Sequence, residues 1–358
     1  MTRVWRVTFS VLIILSFASS GALQAGGWGN RRPANRREAA YRKETPPASA
    51  PLIAADIGEL HFKTLRAFVR SIEAGLPGAG SGAFKKPVGD DGQTFSRAVL
   101  SLLNGDLTAA AALASSVNYD LVQLTAAKKT YLILIERRTR FRGLGTYIVD
   151  PAYKRNLVLE APHVPSDRFT AEEGRQILQG TSARGLFITG THRCANSKRS
   201  QCGGQARAVC GGGSYRVSDV AHFTDNFFQE AHRATLNLSD PPITMSLHGN
   251  GLTELPDVKL SDGTTQEADS NALVNRLNEA LENLEVDTGS CNDGSSDNRT
   301  FCGETNVQGR LSNKSNDPCK TNASVPTGLF LHVEQHRKIR EDPSALIEAI
   351  TKVIPETR

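Results

Sequence analysis

Four strand-like apolar runs in this sequence each end in residues that can bind a metal ion or transfer a proton. These residues are His163 with Asp167, the pair His192 and Arg193, His248, and Glu334. Imidazole nitrogens and carboxylate oxygens are common zinc ligands, and a catalytic zinc site uses three protein ligands so that one coordination position stays open. Two histidines, a nearby carboxylate and a more distant glutamate therefore predict a zinc site with a separate general base.

The elements that must position these residues follow from the apolar pattern. Short apolar runs predict strands at 156–160, 185–189, 243–247 and 328–333, after a β-hairpin formed by 131–135 and 146–149. Helical patterns fall near 170–179, 218–236, 268–284 and 343–353. This alternation predicts an α/β fold with a mixed, largely parallel sheet flanked by helices. Because ligands bind beyond the carboxyl ends of the strands in such a sheet, we expect the candidate residues to converge.

Several candidates also have an ordinary structural interpretation. Asp167 suits a turn, and Thr170-Ala-Glu-Glu173 has the pattern of a capping box at a helix start. His222 has Asp219 and Asp225 three residues to either side on a predicted helix. That spacing favours a structural network over a second metal site.

The order of these motifs resembles that of the zinc-carboxypeptidase-like superfamily over about residues 130–350. The matching succession is a hairpin, a strand followed by His163-x-x-x-Asp167-x-x-Thr170, a strand ending in Ser-Leu-His248-Gly, and a strand ending in Glu334. The chain is most similar to the amidohydrolase branches, the N-formylglutamate amidohydrolases and phage poly-γ-glutamate hydrolases. The resemblance implies a zinc-carboxypeptidase-like fold, zinc on His163, Asp167 and His248, and Glu334 as the base.

The carboxylate ligand is where the sequence departs from the peptidases of this superfamily. Those enzymes have His-x-x-Glu, whereas position 166 is Ser. Glu172 and Glu173 are therefore alternatives to Asp167 as the third ligand. Outside the ligand set, we expect His192 or Arg193 to hold a substrate carboxylate or the developing oxyanion.

The amino terminus predicts export. Arg3 and Arg6 precede an apolar run from Val7 to Ala18, and small residues follow. This layout is typical of a secretory signal peptide, which we place at residues 1–25. No later stretch has the length of a membrane-spanning helix. We therefore expect an exported (periplasmic or secreted) protein without stable membrane insertion after cleavage.

Residues 26–50 are rich in Gly, Arg, Pro and Ala and predict a disordered basic arm. The net charge of +5 originates in the signal segment and this arm together, since the first 45 residues carry eight of the 42 basic residues and only two of the 37 acidic ones. Residues 46–358 therefore have a net charge of −1. A neutral body and an arm with almost no aromatic residues argue against nucleic-acid binding.

The six cysteines predict disulfide bonds in an oxidising compartment. They form two triplets, Cys194, Cys202 and Cys210, and then Cys291, Cys302 and Cys319. Because each triplet is odd, complete pairing requires at least one bridge between the triplets. The spacings match no common zinc knuckle, so metal binding by these thiols is the weaker alternative.

These features predict a helical accessory segment at 51–125 and an α/β catalytic domain at 126–358. The leading hypothesis is an exported zinc-dependent hydrolase that cleaves an amide bond in an acidic or γ-linked peptide, an N-acyl amino acid or a cell-wall peptide. Zinc would lower the pKa of a water molecule, and Glu334 would act as its base. The alternative is a secreted, metal-free binding protein on the same scaffold. The sequence does not choose the substrate, the disulfide pairing or the oligomeric state.

Overall fold

The computed structural model describes residues 57–294 and 300–357. The predicted signal peptide at 1–25 and basic arm at 26–50 lie outside the described residues. The strands are β1 Gly58–Glu59, β2 Tyr119–Ala126, β3 Lys129–Glu136, β4 Thr146–Val149, β5 Arg155–Ala161, β6 Ala183–Ile188, β7 Ile243–Gly249, β8 Val258–Ser261, β9 Thr288–Ser290 and β10 Phe330–Gln335. The α-helices are α1 Leu65–Ala74, α2 Asp91–Leu103, α3 Leu107–Ser116, α4 Thr170–Thr181, α5 Phe227–Leu236, α6 Leu273–Glu282, α7 Val307–Ser312, α8 Arg337–Glu341 and α9 Ser344–Val353. None of the described helices is both long and apolar enough to cross a bilayer.

The strands form one mixed sheet in the order β1-β2-β3-β4-β6-β5-β7-β10-β8-β9. The central strands β6, β5, β7 and β10 are mutually parallel, whereas β2, β3 and β4 join them through antiparallel pairs. The predicted mixed, largely parallel α/β sheet is therefore confirmed. The predicted hairpin is also confirmed, because β3 and β4 are antiparallel neighbours.

Strand β2 is the main element that the sequence did not predict, and it lies almost wholly in the segment 51–125 that was expected to be helical. That segment supplies α1, α2 and α3, but it also adds β2 to the main sheet. The turn between β2 and β3 consists of Ala127 and Lys128, both at positive φ (49° and 67°). Two-residue hairpin turns of this kind usually carry Asn-Gly or Asp-Gly, so the usual sequence signal is missing here.

The central strands are buried on both faces by helices. On strand β5, Leu157, Leu159 and Ala161 pack into a core with α1, α4, α6 and α9, whereas Val158 points to a second core formed with α2, α3 and α5. Successive side chains of a strand point to opposite faces, so one strand serves both cores. A strand covered on both sides has a nearly continuous apolar sequence, which is why β5 to β7 were recognisable.

One buried polar network crosses the second core. His232 on α5 hydrogen-bonds through Nδ1 to Glu160 on β5 and through Nε2 to Ser312 at the end of α7, both at 2.9 Å. All three side chains are buried. Because a buried polar group is costly unless it is hydrogen-bonded, the network fixes how α5 and α7 sit on the sheet.

The six cysteines form three disulfides, Cys194–Cys210, Cys202–Cys319 and Cys291–Cys302. The second of these joins the two triplets, which confirms the bridge between triplets that the odd count required. It connects the loop after β6 to the segment that precedes β10. These two segments are thereby held together covalently.

We predict that removing the bridge between triplets destabilises the protein most. Cys202 and Cys319 are 117 residues apart, whereas Cys291 and Cys302 are 11 apart. If disulfides act mainly on the unfolded chain, replacing both partners by Ala lowers the free energy of unfolding by about 5 kcal/mol for the first pair and about 3 kcal/mol for the second. Urea unfolding of the two double variants measures this difference. An equal or reversed order would contradict the argument from loop length.

Candidate metal centre

The structure brings His163, Asp167 and His248 together at the carboxyl ends of two neighbouring parallel strands. His163 and Asp167 lie in the turn that follows β5, and His248 lies near the end of β7. The backbone N–H of Gly249 donates to Oδ2 of Asp167 at 3.1 Å, so the two strand ends are bonded to each other. The convergence expected from the strand ends is therefore observed.

The three side chains present a triangle of potential ligand atoms. Nδ1 of His163 lies 3.1 Å from Nδ1 of His248 and 3.3 Å from Oδ2 of Asp167. Nδ1 of His248 lies 3.7 Å from the same Oδ2. A tetrahedral zinc ion with bonds of about 2.0–2.1 Å has ligand-to-ligand edges of about 3.3–3.4 Å. The donor set and its spacing fit one face of such a tetrahedron. All three residues are buried.

The second nitrogen of each imidazole has its own partner. Nε2 of His163 is 2.8 Å from Oδ1 of Asp219, and Nε2 of His248 is 3.0 Å from Oγ of Ser246. When Nε2 carries the ring proton and donates to these oxygens, the Nδ1 lone pair of both rings is free to bind a metal. Partners of this kind orient metal-binding histidines and raise their basicity.

The electrostatics favour the protonation states that a metal site needs at His248 and Asp167 but not at His163, whose pKa burial and Arg193 would lower but Asp219 and Asp167 raise. Burial, and then the neighbouring His332 and His163, hold the pKa of His248 well below its usual value, so this ring is neutral. Burial alone would raise the pKa of Asp167. The hydrogen bond and charge of His163, together with Arg193, lower it instead, so the carboxylate is ionised. Metal ions bind neutral imidazole and ionised carboxylate.

Glu334 lies beside this group on the adjacent strand. In the sheet register it is directly opposite His248, and Oε2 of its buried carboxyl has no hydrogen-bond partner among the described residues. Burial, and then the charge of Asp167, raise the pKa of Glu334 well above its ordinary value, although Arg193 and Arg340 oppose the shift. A carboxyl group with a raised pKa is suited to accept and return a proton near neutral pH.

His332 is a member of the site that the sequence analysis missed. Its ring stacks on that of His248 with centroids 4.4 Å apart, and its Nε2 is 3.9 Å from Oε1 of Glu334. The signal was present in Phe330-Leu-His-Val-Glu334, because residues two apart on a strand point to the same face. Together, His248, His332 and Glu334 form a second set whose ligand atoms lie within 4.8 Å of one another.

Asp219 is the other residue whose role the sequence did not predict. Its Oδ2 accepts from Nε and Nη2 of Arg193 at 2.9 and 2.6 Å, and its Oδ1 is 2.9 Å from Nδ1 of His222. The prediction of a helix from residue 218 was wrong, since α5 begins at Phe227. Asp219 and His222 instead lie in the loop before α5.

His222 belongs to the hydrogen-bonded network that was favoured for it, with its ring stacked on Tyr215 at 3.7 Å. His163, Asp219 and His222 nevertheless also satisfy the distance condition for a metal-binding set. Asp225, the other acid near His222 in sequence, forms an exposed ion pair with Lys86.

The remaining predicted residues are placed as follows. Arg193 is held by Asp219, and partly buried His192 accepts a hydrogen bond on Nδ1 from the backbone of Cys194. Glu172 forms ion pairs with Arg175 and Arg66. Neither Glu172 nor Glu173 belongs to a metal-compatible set among the described residues.

The capping box expected at Thr170–Glu173 is not formed. The N-cap of α4 is Phe169 in a left-handed conformation, without a side-chain cap, and Thr170 Oγ1 donates to the carbonyl of Asp167. With Thr170 as the N-cap, the helix would begin at Ala171. The tight turn that places Asp167 beside both histidines instead starts the helix at Thr170. Glu173 is consequently buried inside the protein rather than exposed at the helix end.

Comparisons with solved structures give matches of low sequence identity and low TM-score. No protein-family model and no curated protein matches this chain. The zinc-free form of a protein named YndL is 15% identical over 52% of this chain and 68% of that chain, with a TM-score of 0.29. A bacteriophage poly-γ-glutamate hydrolase is 13% identical over 54% and 72%, with a TM-score of 0.30.

A Shewanella denitrificans protein assigned as a carboxypeptidase A is 12% identical over 65% of this chain and 76% of that chain, with a TM-score of 0.34. These neighbours include the classes of protein that the sequence motifs resemble.

We predict that Asp219→Asn weakens zinc binding by about 10–100-fold, because the substitution disturbs the partner that orients His163. Competition with a fluorescent zinc chelator measures the affinity. Asp225→Asn is the matched control, since Asp225 is exposed and pairs only with Lys86 among the described residues. Equal zinc affinity in Asp219→Asn and the control would contradict the orienting role.

We also predict a pH-dependent contribution of Glu173 to stability. Burial raises the pKa of this carboxyl to about 8, although Gln335 and Arg340 oppose the shift. The native state therefore keeps a proton that the unfolded chain loses near pH 4.5, so this contribution is fully present below that pH and is lost as pH rises to about 8. Glu173→Gln should remove this part of the fall in the free energy of unfolding as pH rises. The substitution Glu172→Gln should not, because Glu172 is ion-paired. Urea unfolding at pH 5, 6.5 and 8 with a chelator present tests this, and parallel declines in the wild type and Glu173→Gln would refute it.

Proposed function

We propose that this chain is an exported zinc-dependent hydrolase that cleaves an amide bond in an acidic or γ-linked peptide, an N-acyl amino acid or a cell-wall peptide. The observation that carries the proposal is the convergence of His163, Asp167 and His248 beside the buried carboxyl of Glu334, whose Oε2 has no hydrogen-bond partner among the described residues. An amide is a stable bond, and its hydrolysis needs both an activated water molecule and a donor that protonates the leaving nitrogen. We assign the first task to the three proposed metal ligands and the second to Glu334.

His163, Asp167 and His248 would hold the metal. Bound there, zinc would polarise the amide carbonyl and lower the pKa of water toward about 7. The protein supplies the proton transfer, for which Glu334 is placed on the strand next to His248. Glu334 accepts the proton of the attacking water and then returns it to the nitrogen of the departing amine.

Arg193 is proposed to bind the anionic part of the substrate or the developing oxyanion. Its Nε and Nη2 donate to Asp219, which fixes the plane of the guanidinium. Nη1 forms no hydrogen bond to any described residue and is available to an anion. A charged donor that is already oriented costs little reorganisation when negative charge develops. His192, one residue earlier and partly buried, is the second candidate for this role.

Export is proposed from the amino-terminal pattern and the cysteines together. The three disulfides of the described chain suit an oxidising compartment such as the periplasm or the extracellular space. The metal is expected to be acquired there, since a site of this kind forms only in the folded chain.

We predict that Glu334→Gln lowers amide hydrolysis by about 10²–10⁴-fold, the usual contribution of a general acid-base residue. The zinc content should stay near one ion per chain, because Glu334 is not in the proposed ligand set. N-acyl glutamates, γ-glutamyl peptides and cell-wall peptides are the substrates to assay, with native mass spectrometry to count zinc.

The control is Glu341→Gln, which removes an exposed carboxylate paired with Arg337. Retained hydrolysis in Glu334→Gln would exclude this base. A wild-type protein that binds no zinc and is insensitive to chelators would instead favour the metal-free binding protein.

A further inference from the structure

A buried arginine lies beside the candidate metal centre, and neither the ligand set nor the proposed reaction uses it. Arg340 is on α8, the short helix that follows β10, and only 6% of its surface is exposed. Burying a guanidinium group is costly, because the charge loses its contact with water. The contacts of Arg340 indicate why the fold nevertheless buries it.

The first contact joins Arg340 to the turn that carries Asp167. Nη1 of Arg340 donates to the carbonyl oxygen of Arg168, the residue directly after Asp167. Within this turn, the backbone N–H groups of Ser166 and Asp167 both donate to the carbonyl oxygen of His163, at 2.7 and 2.8 Å. The turn is therefore closed by its own backbone hydrogen bonds and attached to α8 by the side chain of Arg340.

The second contact is with the end of strand β7. The guanidinium group lies against the α-carbon of Gly249, the residue directly after His248. A Cβ atom at position 249 would lie less than 3.0 Å from Nε, Cζ and Nη1 of Arg340, closer than Cβ atoms approach other groups in proteins. Because the φ angle of Gly249 is not positive, the need for glycine here comes from Arg340 and not from the backbone conformation.

These two contacts lie on either side of a hydrogen bond that connects two of the proposed ligands. The backbone N–H of Gly249 donates to Oδ2 of Asp167 at 3.1 Å, and the same Oδ2 lies 3.7 Å from Nδ1 of His248. Arg340 contacts the residue that follows each of these two ligands. Since one side chain holds both neighbours, it limits how far Asp167 and His248 can separate.

An ion pair does not explain the burial of Arg340. No carboxylate of the described residues lies within ion-pair distance of it, and its Nε has no hydrogen-bond partner among them. Burial raises the pKa of the carboxyls of Glu173 and Glu334, and the positive charge of Arg340 opposes both shifts. The charge therefore acts on two buried acids without being fixed to either, which leaves the contacts with the ligand-bearing segments as the specific interactions of this side chain.

We propose that Arg340 is a positioning residue of the metal centre, which holds the turn of Asp167 against the end of β7 and so keeps Asp167 and His248 at the spacing that a metal ion needs. This inference rests on the metal site of the proposed function. It deepens that proposal, because it assigns the preorganisation of the site to a side chain outside the ligand set. Groups behind the ligands commonly set metal affinity in this way.

The test is zinc affinity, measured by competition with a fluorescent chelator on the full-length protein. Arg340→Ala should weaken zinc binding about tenfold, because both contacts with the ligand-bearing segments are lost. The matched control is Arg155→Ala. Arg155 is also buried and donates to the backbone carbonyls of Ile354 and Thr181, but it lies at the start of β5, at the opposite end of the strand from His163. The control should lower the free energy of unfolding in urea and keep zinc affinity within about twofold of the wild type.

A second variant displaces the guanidinium group without altering Arg340. The methyl group of Gly249→Ala occupies its place while the backbone N–H that binds Asp167 is kept, so zinc affinity should again fall about tenfold. In the Arg340→Ala background the same substitution should have little further effect, because the group that it displaces is absent. Cobalt(II) bound in place of zinc reports the ligand geometry through its visible absorption spectrum. That spectrum should change in Arg340→Ala and Gly249→Ala and stay the same in Arg155→Ala.

Equal zinc affinity in Arg340→Ala and Arg155→Ala would overturn the positioning role, as would losses from Arg340→Ala and Gly249→Ala that multiply in the double variant. If Arg340→Ala does not fold, Gly249→Ala decides, and an unchanged zinc affinity and cobalt spectrum in that variant would overturn the proposal. No substrate enters these measurements, so they are separate from the test of hydrolysis. A chain that shows these dependences but cleaves no amide would refute the proposed function and leave the role of Arg340 intact.

Discussion

The buried carboxylate of Asp219 is the group on which the arrangement of the candidate site depends. It accepts hydrogen bonds from Arg193, His222 and Nε2 of His163, and these partners outweigh burial and hold its pKa well below the ordinary value. A buried charge is tolerated only when it is paired and hydrogen-bonded. One anion therefore sets the direction of the proposed metal ligand His163 and of the proposed substrate-binding Arg193, so a change in its charge disturbs both at once.

The position of the Asp219 carboxylate depends on segments that are distant from it in the sequence. Asp219 lies in the loop between β6 and α5, and Ser218 beside it donates to the carbonyl oxygen of Arg193. The Cys194–Cys210 disulfide closes this loop next to Arg193, and Cys202–Cys319 attaches it to the segment before β10. The parallel strands β5, β7 and β10 deliver His163, His248 and Glu334 to the same edge of the sheet, where the loop covers them.

The strands and their polar ends were predictable because their sequences carry a strong local signal. Strands buried on both faces are almost continuously apolar, and a histidine or glutamate directly after such a run is conspicuous. Elements without a local signal were missed. Strand β2 turns into β3 through Ala127 and Lys128, which do not suggest a two-residue turn, and the segment that contains Asp219 and His222 has a helical pattern although its polar groups bond to the site instead of forming a helix.

The sequence by itself determined the α/β class, the two-sided burial of the central strands and the positions of His163, His248 and Glu334 at strand ends, since each follows from patterns within about ten residues. The tertiary structure decided which carboxylate joins the two histidines. Asp167, Glu172 and Glu173 lie within seven residues, and only the fold directs Asp167 to Gly249, Glu172 to Arg175 and Arg66, and Glu173 to the interior. It also paired Asp219 with His163 and Arg193 and stacked His332 on His248. Contacts between groups far apart in the chain depend on packing, and local sequence carries no information about them.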